Sequence, residues 1–261
     1  MTIEAVANTG DARGRALTGE SAGRTLTLSI IIPAYNEERT IETLLEKVLA
    51  VPLHGVRREV IVIDDRSSDG TRERLKRFGP SIRIIEHPRN RGKGAAVRSG
   101  FQAATGDILL IQDADLEYDP NDYPQMIEPI VRGQADVVIG SRFLLQKPHF
   151  FTPGGQPFFT HFVGNLMIIW LANLLYGFRA TDYEGCYKAF SRAVIARTPV
   201  VTDGFDFDNE LICKLLRRRQ RIVEVPIRYY PRLYGEGKKI RWQHGLQMLW
   251  AIIKWRVKPF S

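Results

Sequence analysis

The chain has 261 residues, 44% of them hydrophobic, which is enough for one large α/β domain or two small ones. Its two cysteines, Cys186 and Cys213, are far apart and have no second cysteine nearby, which argues against a disulfide framework or a zinc site. The net charge is +8, but residues 214–258 alone carry +11, which predicts a negatively charged partner: nucleic acid, an anionic membrane surface or a phosphorylated substrate.

Residues 1–25 are rich in Gly, Ala, Thr and Arg and lack the apolar core of a signal peptide, so we predict a disordered leader. The chain then alternates between predicted strands and predicted helices, and this alternation predicts an α/β domain with a mostly parallel sheet and helices on both faces. In such sheets the ligand binds at the carboxyl ends of the strands. Strands are predicted at 28–32 (stopped by Pro33), 58–65, 82–88, 107–115 and 135–143, and helices at 39–51, 71–78, 92–105 and 122–133.

The second half of the chain is less regular. An aromatic, Pro- and Gly-rich stretch at 147–162 is typical of a lid or rim loop, and a helix is predicted at 163–176. The most apolar window, 162–178, has an asparagine near each end, so the sequence predicts no transmembrane helix. We place one domain at 26–235 and a basic amphipathic helix at 236–261. One face of that helix would carry Trp242, Leu246, Leu249, Trp250, Ile253 and Val257.

A row of acids follows the predicted strand at 107–115. On an extended backbone, Asp113 and Asp115 would lie on one side of the chain, with Glu117 within reach. Mg²⁺ and Mn²⁺ prefer oxygen ligands and usually take one or two carboxylates together with substrate phosphates. The row therefore predicts a Mg²⁺ or Mn²⁺ site. The alternative is an acidic loop start, because Asp is common in turns.

A doubled acid, Asp64 and Asp65, follows the second predicted strand. A carboxylate at this place could accept hydrogen bonds from a nucleobase or a ribose. The alternative is a capping sequence in which Ser68 or Asp69 begins the next helix. The glycines around Lys93 favour a helix-start turn over a phosphate-binding loop, because the spacing of a P-loop is absent.

Seven motifs, in this order along the chain, carry a resemblance to a known family: "PAYNEE", "IVIDDRSSDGT", "NRGKGAAVRSGF", "QDADLE", "DVVIGSR", "TDYEGCYKAF" and "EVPIRYYPRLYGEGKK". Together they resemble the family 2 glycosyltransferases of the GT-A fold, above all the dolichyl- or polyprenyl-phosphate mannose and glucose synthases. The resemblance covers about 28–258, apart from the loop 145–160. It implies a GT-A, Rossmann-like sheet for the predicted domain.

The resemblance also implies roles for the matched residues. Asp113 and Asp115 would form the aspartate pair typical of the fold, with Asp115 as a metal ligand and Glu117 as a second one. Arg142 would lie near the diphosphate or the acceptor phosphate. The implied ligands of the nucleotide sugar are Pro33, Tyr35, Glu37, Ile63, Asp65, Asp113, Ala114, Arg142, Arg232 and Lys238. For the three basic residues of this set, the alternative is a solvated surface charge.

The implied reaction is an inverting, metal-dependent transfer of a hexose from a nucleotide sugar, of the UDP-glucose or GDP-mannose type, to a polyprenyl phosphate. A phosphate acceptor is already ionised, whereas a hydroxyl acceptor needs a general base, for which Asp182 and Glu210 are the candidates. Either acid could instead orient other groups or pack a helix. A second hypothesis is therefore a soluble or saccharide hydroxyl acceptor, and a third is a nucleotide-binding scaffold without catalysis.

A lipid-phosphate acceptor would place the protein peripherally at the inner, cytoplasmic face of the membrane. Many relatives carry transmembrane helices, which the sequence does not predict here. The helix at 163–176 and the C-terminal helix could instead lie in the interface. The alternative is a C-terminal helix packed on its own domain or on a partner subunit. Nucleic acid is disfavoured because no recognition motif accompanies the basic segment. The residues that suit a membrane surface are Trp242, Trp250, Trp255, Lys254, Arg256 and Lys258.

Overall fold

The computed structural model describes residues 25–144, 159–183, 185–204, 206–231 and 242–259. Nearly all of the predicted leader lies outside these ranges, and so do Arg232 and Lys238, two of the three basic residues implied as ligands of the nucleotide sugar.

Seven strands and eight α-helices make up the described part of the chain. The strands are β1 (Leu26–Ala34), β2 (Val56–Asp64), β3 (Arg83–Glu86), β4 (Ile108–Ile111), β5 (Val137–Ser141), β6 (Lys188–Ser191) and β7 (Ile222–Pro226). The helices are α1 (Ile41–Ala50), α2 (Thr71–Lys76), α3 (Lys93–Ala103), α4 (Tyr123–Val131), α5 (Phe159–Tyr176), α6 (Arg192–Ala196), α7 (Phe207–Arg217) and α8 (Trp242–Val257).

The strands form one sheet in the order β3-β2-β1-β4-β6-β5-β7. All neighbours run parallel except β6, which is antiparallel to both β4 and β5. Because β6 runs in the opposite direction, Lys188 at its start pairs with Ile111 at the end of β4. The carboxyl ends of the parallel strands and the amino end of β6 therefore share one edge of the sheet.

Apolar runs form the central strands because helices cover both faces of the sheet. Residues Ile30–Ile32 of β1 and Ile61–Ile63 of β2 are fully buried, as expected for strands without a solvent face. The sequence predicts that the first strand stops at Pro33, but β1 continues to Ala34. The carbonyl of Ala34 accepts a hydrogen bond from Asp65 N at 2.8 Å, so the pairing with β2 continues past the proline.

Helix α8 packs on its own domain through one face and exposes another. Ala251, Ile252 and Trp255 are buried in a hydrophobic cluster with residues of α5 and α7. The interpretation of Trp255 as a membrane-facing residue is therefore wrong. By contrast, Trp250 and Val257 are 65% and 75% exposed. The side chains of Trp242 and Leu246 lie outside the described part of the chain. Among the described helices, none is both long enough and apolar enough to cross a membrane.

Candidate active site

The loops that follow β1 and β2 are joined by hydrogen bonds. Asn36, which has a φ of +53°, donates its backbone N–H to Ser67 Oγ at 3.0 Å and accepts from Ser68 N at 2.8 Å. The backbone N–H of Glu37 donates to Thr71 Oγ1 at 2.8 Å. These bonds hold the two loops against each other at the carboxyl edge of the sheet. The structure thus brings together five of the residues implied to bind the nucleotide sugar: Pro33, Tyr35, Glu37, Ile63 and Asp65.

The buried carboxylate of Asp65 shapes the loop between β3 and α3. It accepts hydrogen bonds from Arg91 N at 2.8 Å and from Gly92 N at 2.7 Å. Its third partner is His87 Nδ1 at 2.7 Å, and the other ring nitrogen of His87 is 2.9 Å from Ser99 Oγ. Asp65 therefore has a structural role in this loop. Its contact with a nucleobase stays a prediction.

Helix α3 begins at Lys93, as the helix-start interpretation expected. Gly92 has a φ of +90°, and a Cβ there would lie 2.6 Å from the carbonyl oxygen of Asp203, so glycine is required. The ammonium of Lys93 is 2.7 Å from Asp113 Oδ1 and 3.0 Å from Cys186 Sγ. Burial by itself would raise the pKa of Asp113, but the charge and hydrogen bond of Lys93, together with Cys186 and Lys188, lower it, and the net shift of the pKa is downward.

A second buried lysine lies close to this pair and was not expected from the sequence. Lys188 is fully buried at the start of β6, where it donates to the carbonyl of Gly185 and lies 3.3 Å from Asp208 Oδ1. Two ammonium groups and two carboxylates thus balance one another beneath the carboxyl edge. The signal in the sequence was a lysine within the apolar run "CYKAF", but it could not be interpreted without knowing that this run is a strand.

The acidic row after β4 is a turn, not a continued strand. The strand ends at Ile111, and Leu116 takes a φ of +64°. The expectation that Asp113 and Asp115 share one side of an extended backbone is therefore wrong. Asp113 turns inward to Lys93. Asp115 and Glu117 are half-buried and adjacent on the turn, where Asp115 Oδ1 accepts from Glu117 N at 3.1 Å.

This turn has the donor atoms that a magnesium or manganese ion requires. Among the described residues, no group of three or more His, Cys, Asp or Glu side chains is arranged to hold a metal by itself. Asp115 and Glu117 supply two carboxylates, which is what these ions usually take from a protein when phosphate oxygens and water complete the coordination. The donor set therefore fits a metal shared with a diphosphate, and does not fit a closed protein site.

Arg142 and Asp182 form a bidentate ion pair at the end of β5. Arg142 Nε and Nη2 donate to the two Asp182 oxygens at 2.7 and 2.9 Å, and the backbone N–H of Arg142 donates to Oδ2 at 3.2 Å. Asp182 is 1% exposed. Burial would raise its pKa, but the charge and hydrogen bonds of Arg142, together with the charge of Lys188, lower it, and the net shift of the pKa of Asp182 is downward. A carboxylate in this state is a weak base, so the geometry favours a role for Asp182 in orienting Arg142.

The second base candidate, Glu210, holds a loop in place. Its carboxylate is fully buried and accepts from Lys214 Nζ at 2.6 Å, from Val201 N at 3.0 Å and from Thr202 N at 2.8 Å. Burial raises the pKa of Glu210, while Lys214 and the two amides lower it, and the net shift is downward. These contacts favour the helix-packing alternative for Glu210.

A family model described as "Glycosyl transferase family 2" matches residues 29–198, which is more than half of the chain. The chain belongs to glycosyltransferase family 2. The matched range includes the turn of Asp115, the Lys93–Asp113 pair and the Arg142–Asp182 pair. The family resemblance inferred from the seven motifs is thus confirmed.

Curated relatives of this family 2 chain include three that carry lipid-phosphate names. The dolichol-phosphate mannosyltransferase of Pyrococcus furiosus is 29% identical over 90% of this chain and 68% of its own length. The dodecaprenyl-phosphate galacturonate synthase of Rhizobium johnstonii is 28% identical, covering 82% of this chain and 62% of the relative. The dolichyl-phosphate beta-glucosyltransferase of Saccharomyces cerevisiae is 29% identical, covering 78% of this chain and 66% of the relative. The chain thus spans about two thirds of the length of these relatives.

Solved structures support the same fold. A glucosyl-3-phosphoglycerate synthase from Mycobacterium tuberculosis in complex with phosphoglyceric acid is 23% identical and has a TM-score of 0.67, covering 90% of this chain and 82% of that one. The same synthase in complex with Mn²⁺, uridine diphosphate and phosphoglyceric acid is 22% identical, with a TM-score of 0.64, over 90% and 80% of the two chains. The expected α/β GT-A-like fold with a mostly parallel sheet is confirmed.

Proposed function

We propose that this family 2 glycosyltransferase moves a hexose from a nucleotide sugar to a polyprenyl or dolichyl phosphate, with inversion, in a metal-dependent reaction. The choice of acceptor rests on the ion pairs that the two base candidates form. Asp182 is paired with Arg142, and Glu210 is paired with Lys214. A phosphate oxygen is already ionised and attacks without a general base. The names of the relatives from Pyrococcus, Rhizobium and Saccharomyces support the same acceptor class.

Each group of the site has a task in this reaction. The loops after β1 and β2 bind the base and ribose, and Asp113, held by Lys93, follows β4, the strand next to β1. Asp115 and Glu117 would hold Mg²⁺ or Mn²⁺, which supplies Lewis-acid stabilisation of the leaving nucleoside diphosphate. Arg142, kept charged and oriented by Asp182, stabilises phosphate charge at the same edge.

The α5 and α8 helices provide the membrane contact in this proposal, at the inner face of the membrane. Each of these helices carries a stripe of apolar side chains that are one or two helical turns apart and exposed to solvent. Lys254, Arg256 and Lys258 lie beside the stripe of α8, as expected for a surface that meets anionic headgroups. The stripes consist of Met167, Trp170 and Leu174 on α5 and of Trp250, Ile253 and Val257 on α8, all between 43% and 75% exposed.

Removing one tryptophan from each stripe should weaken membrane binding. For the Trp170→Ser/Trp250→Ser variant, we expect the partition coefficient onto phosphatidylglycerol–phosphatidylcholine vesicles to fall by about tenfold or more. The reason is that two large apolar side chains no longer enter the interface. Co-sedimentation measures the bound fraction. Val201→Ser is the control, because Val201 is 63% exposed but lies in the loop before α7. Equal binding of the double variant and the wild type would contradict the membrane location and favour a soluble hydroxyl acceptor.

The donor should be identified by calorimetric binding of UDP and GDP, each with and without Mn²⁺. We expect one of the two to bind, and to bind more tightly with metal, because the ion links the diphosphate to Asp115 and Glu117. Release of that nucleoside diphosphate on adding a polyprenyl phosphate and the nucleotide sugar tests the transfer itself. Binding without turnover on any acceptor would favour the scaffold hypothesis, and turnover only on a hydroxyl acceptor would favour the second hypothesis.

A further inference from the structure

Tyr229 connects the acidic turn after β4 with Arg142 at the end of β5. Its hydroxyl donates a hydrogen bond to Glu117 Oε2 at 3.1 Å. Its ring lies under the guanidinium of Arg142, with Cζ 5.1 Å from the ring centroid. We propose that Tyr229 is a positioning residue that holds the carboxylate of Glu117 and the guanidinium of Arg142 in one arrangement. The inference rests on the proposed function, in which these groups bind the metal and the phosphate.

The backbone around Tyr229 is fixed to the acidic turn. Tyr229 forms an isolated antiparallel bridge with Tyr118, and the two rings pack with centroids 5.4 Å apart. The next residue, Tyr230, donates its backbone N–H to the carbonyl of Glu117 at 2.8 Å. The phenol of Tyr229 therefore approaches Glu117 from a backbone that is already paired with the same turn.

The residue before Tyr229 provides a second anchor. Arg228 Nη2 and Nε donate to Asp122 Oδ1 at 2.7 and 3.0 Å, and the backbone N–H of Arg228 donates to Oδ2 at 2.8 Å. Asp122 is 3% exposed and directly precedes α4. Tyr229 thus lies between two residues that are both bonded to the segment following β4, which limits the positions that its ring can take.

The chemistry of the phenol suits this positioning role. The phenolic hydroxyl is the donor in the contact with Glu117, because the carboxylate oxygen accepts. A donated hydrogen bond orients a metal-binding carboxylate while leaving its charge in place, as outer-shell partners do in other metal sites. The ring face meanwhile attracts the Arg142 guanidinium through a cation–π contact.

Two substitutions separate the hydroxyl from the ring. Tyr229→Phe removes the donor to Glu117 but keeps the ring under Arg142. With UDP or GDP present, whichever binds the wild type, we expect calorimetry to show Mn²⁺ binding that is about two- to tenfold weaker. Binding of the same nucleotide without metal should not change. Tyr229→Leu also removes the ring, and should weaken nucleotide binding without metal as well.

Tyr176→Phe is the matched control. The Tyr176 hydroxyl donates to the carbonyl of Ile252 at 2.8 Å, between α5 and α8 and away from the acidic turn. Its loss should lower the melting temperature without changing Mn²⁺ affinity. Suppose that the wild type binds nucleotide more tightly in the presence of metal and that Tyr229→Phe keeps the wild-type Mn²⁺ affinity. This result would overturn the positioning role alone. A wild type in which Mn²⁺ has no effect on either nucleotide would overturn the proposed function, and this inference with it.

Discussion

Asp115→Asn should lower kcat by roughly 10²- to 10³-fold while leaving the fold intact. The change removes one of the two carboxylate charges on the turn that would hold the metal, and charge stabilisation of a leaving group is worth about this much in other enzymes. The backbone of the turn should persist, because the side-chain oxygen of the introduced asparagine can still accept from Glu117 N, as Asp115 does at 3.1 Å. Steady-state release of the nucleoside diphosphate at saturating Mn²⁺ measures the effect.

Asp136→Asn is the control for this variant. Asp136 precedes β5 and therefore lies at the opposite edge of the sheet, where it pairs with Arg221 at 2.9 Å. We expect its kcat to match the wild type. An Asp115→Asn enzyme that retains wild-type turnover with Mg²⁺ or Mn²⁺ would remove Asp115 from the metal site.

Asp182→Asn should lower the free energy of unfolding by about 3–5 kcal/mol, because it leaves the Arg142 guanidinium without its buried counter-charge. Urea denaturation measures this change. The exposed Asp136–Arg221 pair offers the comparison, since Asp136→Asn should cost about 0–1 kcal/mol. A loss as small as that of Asp136→Asn would show that the Arg142–Asp182 pair contributes little to stability.

The stability that Asp182 contributes should depend on pH. The pKa of Asp182 is lowered in the folded chain, because Arg142 and Lys188 together outweigh the effect of burial. A carboxyl of this kind stabilises fully above its unfolded pKa of about 3.9 and loses that contribution as the pH falls through the folded value. The stability difference from wild type should therefore be constant between about pH 5 and 8.

Activity of Asp182→Asn should fall by roughly 10- to 100-fold at every pH in that range, with the shape of the pH profile unchanged, as expected when a supporting partner is lost. Disappearance of one limb of the wild-type profile would instead identify Asp182 as the base and favour a hydroxyl acceptor.

The first half of the fold could be predicted because local patterns determine it. Apolar runs such as Ile108–Ile111, buried on both faces, alternate with amphipathic helices, and this order alone predicts a parallel sheet. Strand β6 could not be predicted in the same way. It has four residues and begins with a charged lysine, Lys188, whose burial depends on Asp208, twenty residues further along the chain.

The sequence indicated candidate site residues but not the contacts between them. The motifs identified Asp113, Arg142 and Asp182, yet nothing in their spacing indicates that Lys93 would neutralise Asp113. In the C-terminal helix, too, the sequence pattern alone does not determine the contacts. Its period is consistent with two apolar faces, one through Trp250 and one through Trp255, and only the packing against α5 and α7 decides which is buried.

The antiparallel strand β6 also determines the order in which the sheet can be assembled. The strands β3, β2, β1 and β4 are neighbours and are all encoded before residue 112. In the described sheet, β5 pairs only with β6 and β7, both of which follow it in the sequence. During synthesis, the part of the sheet made of β1 to β4 can therefore form first, while the edge of β4 stays unpaired until Lys188–Ser191 have been made. An unpaired strand edge is a site of aggregation. The stretch between Ile111 and Lys188 thus sets how long the nascent protein carries that risk.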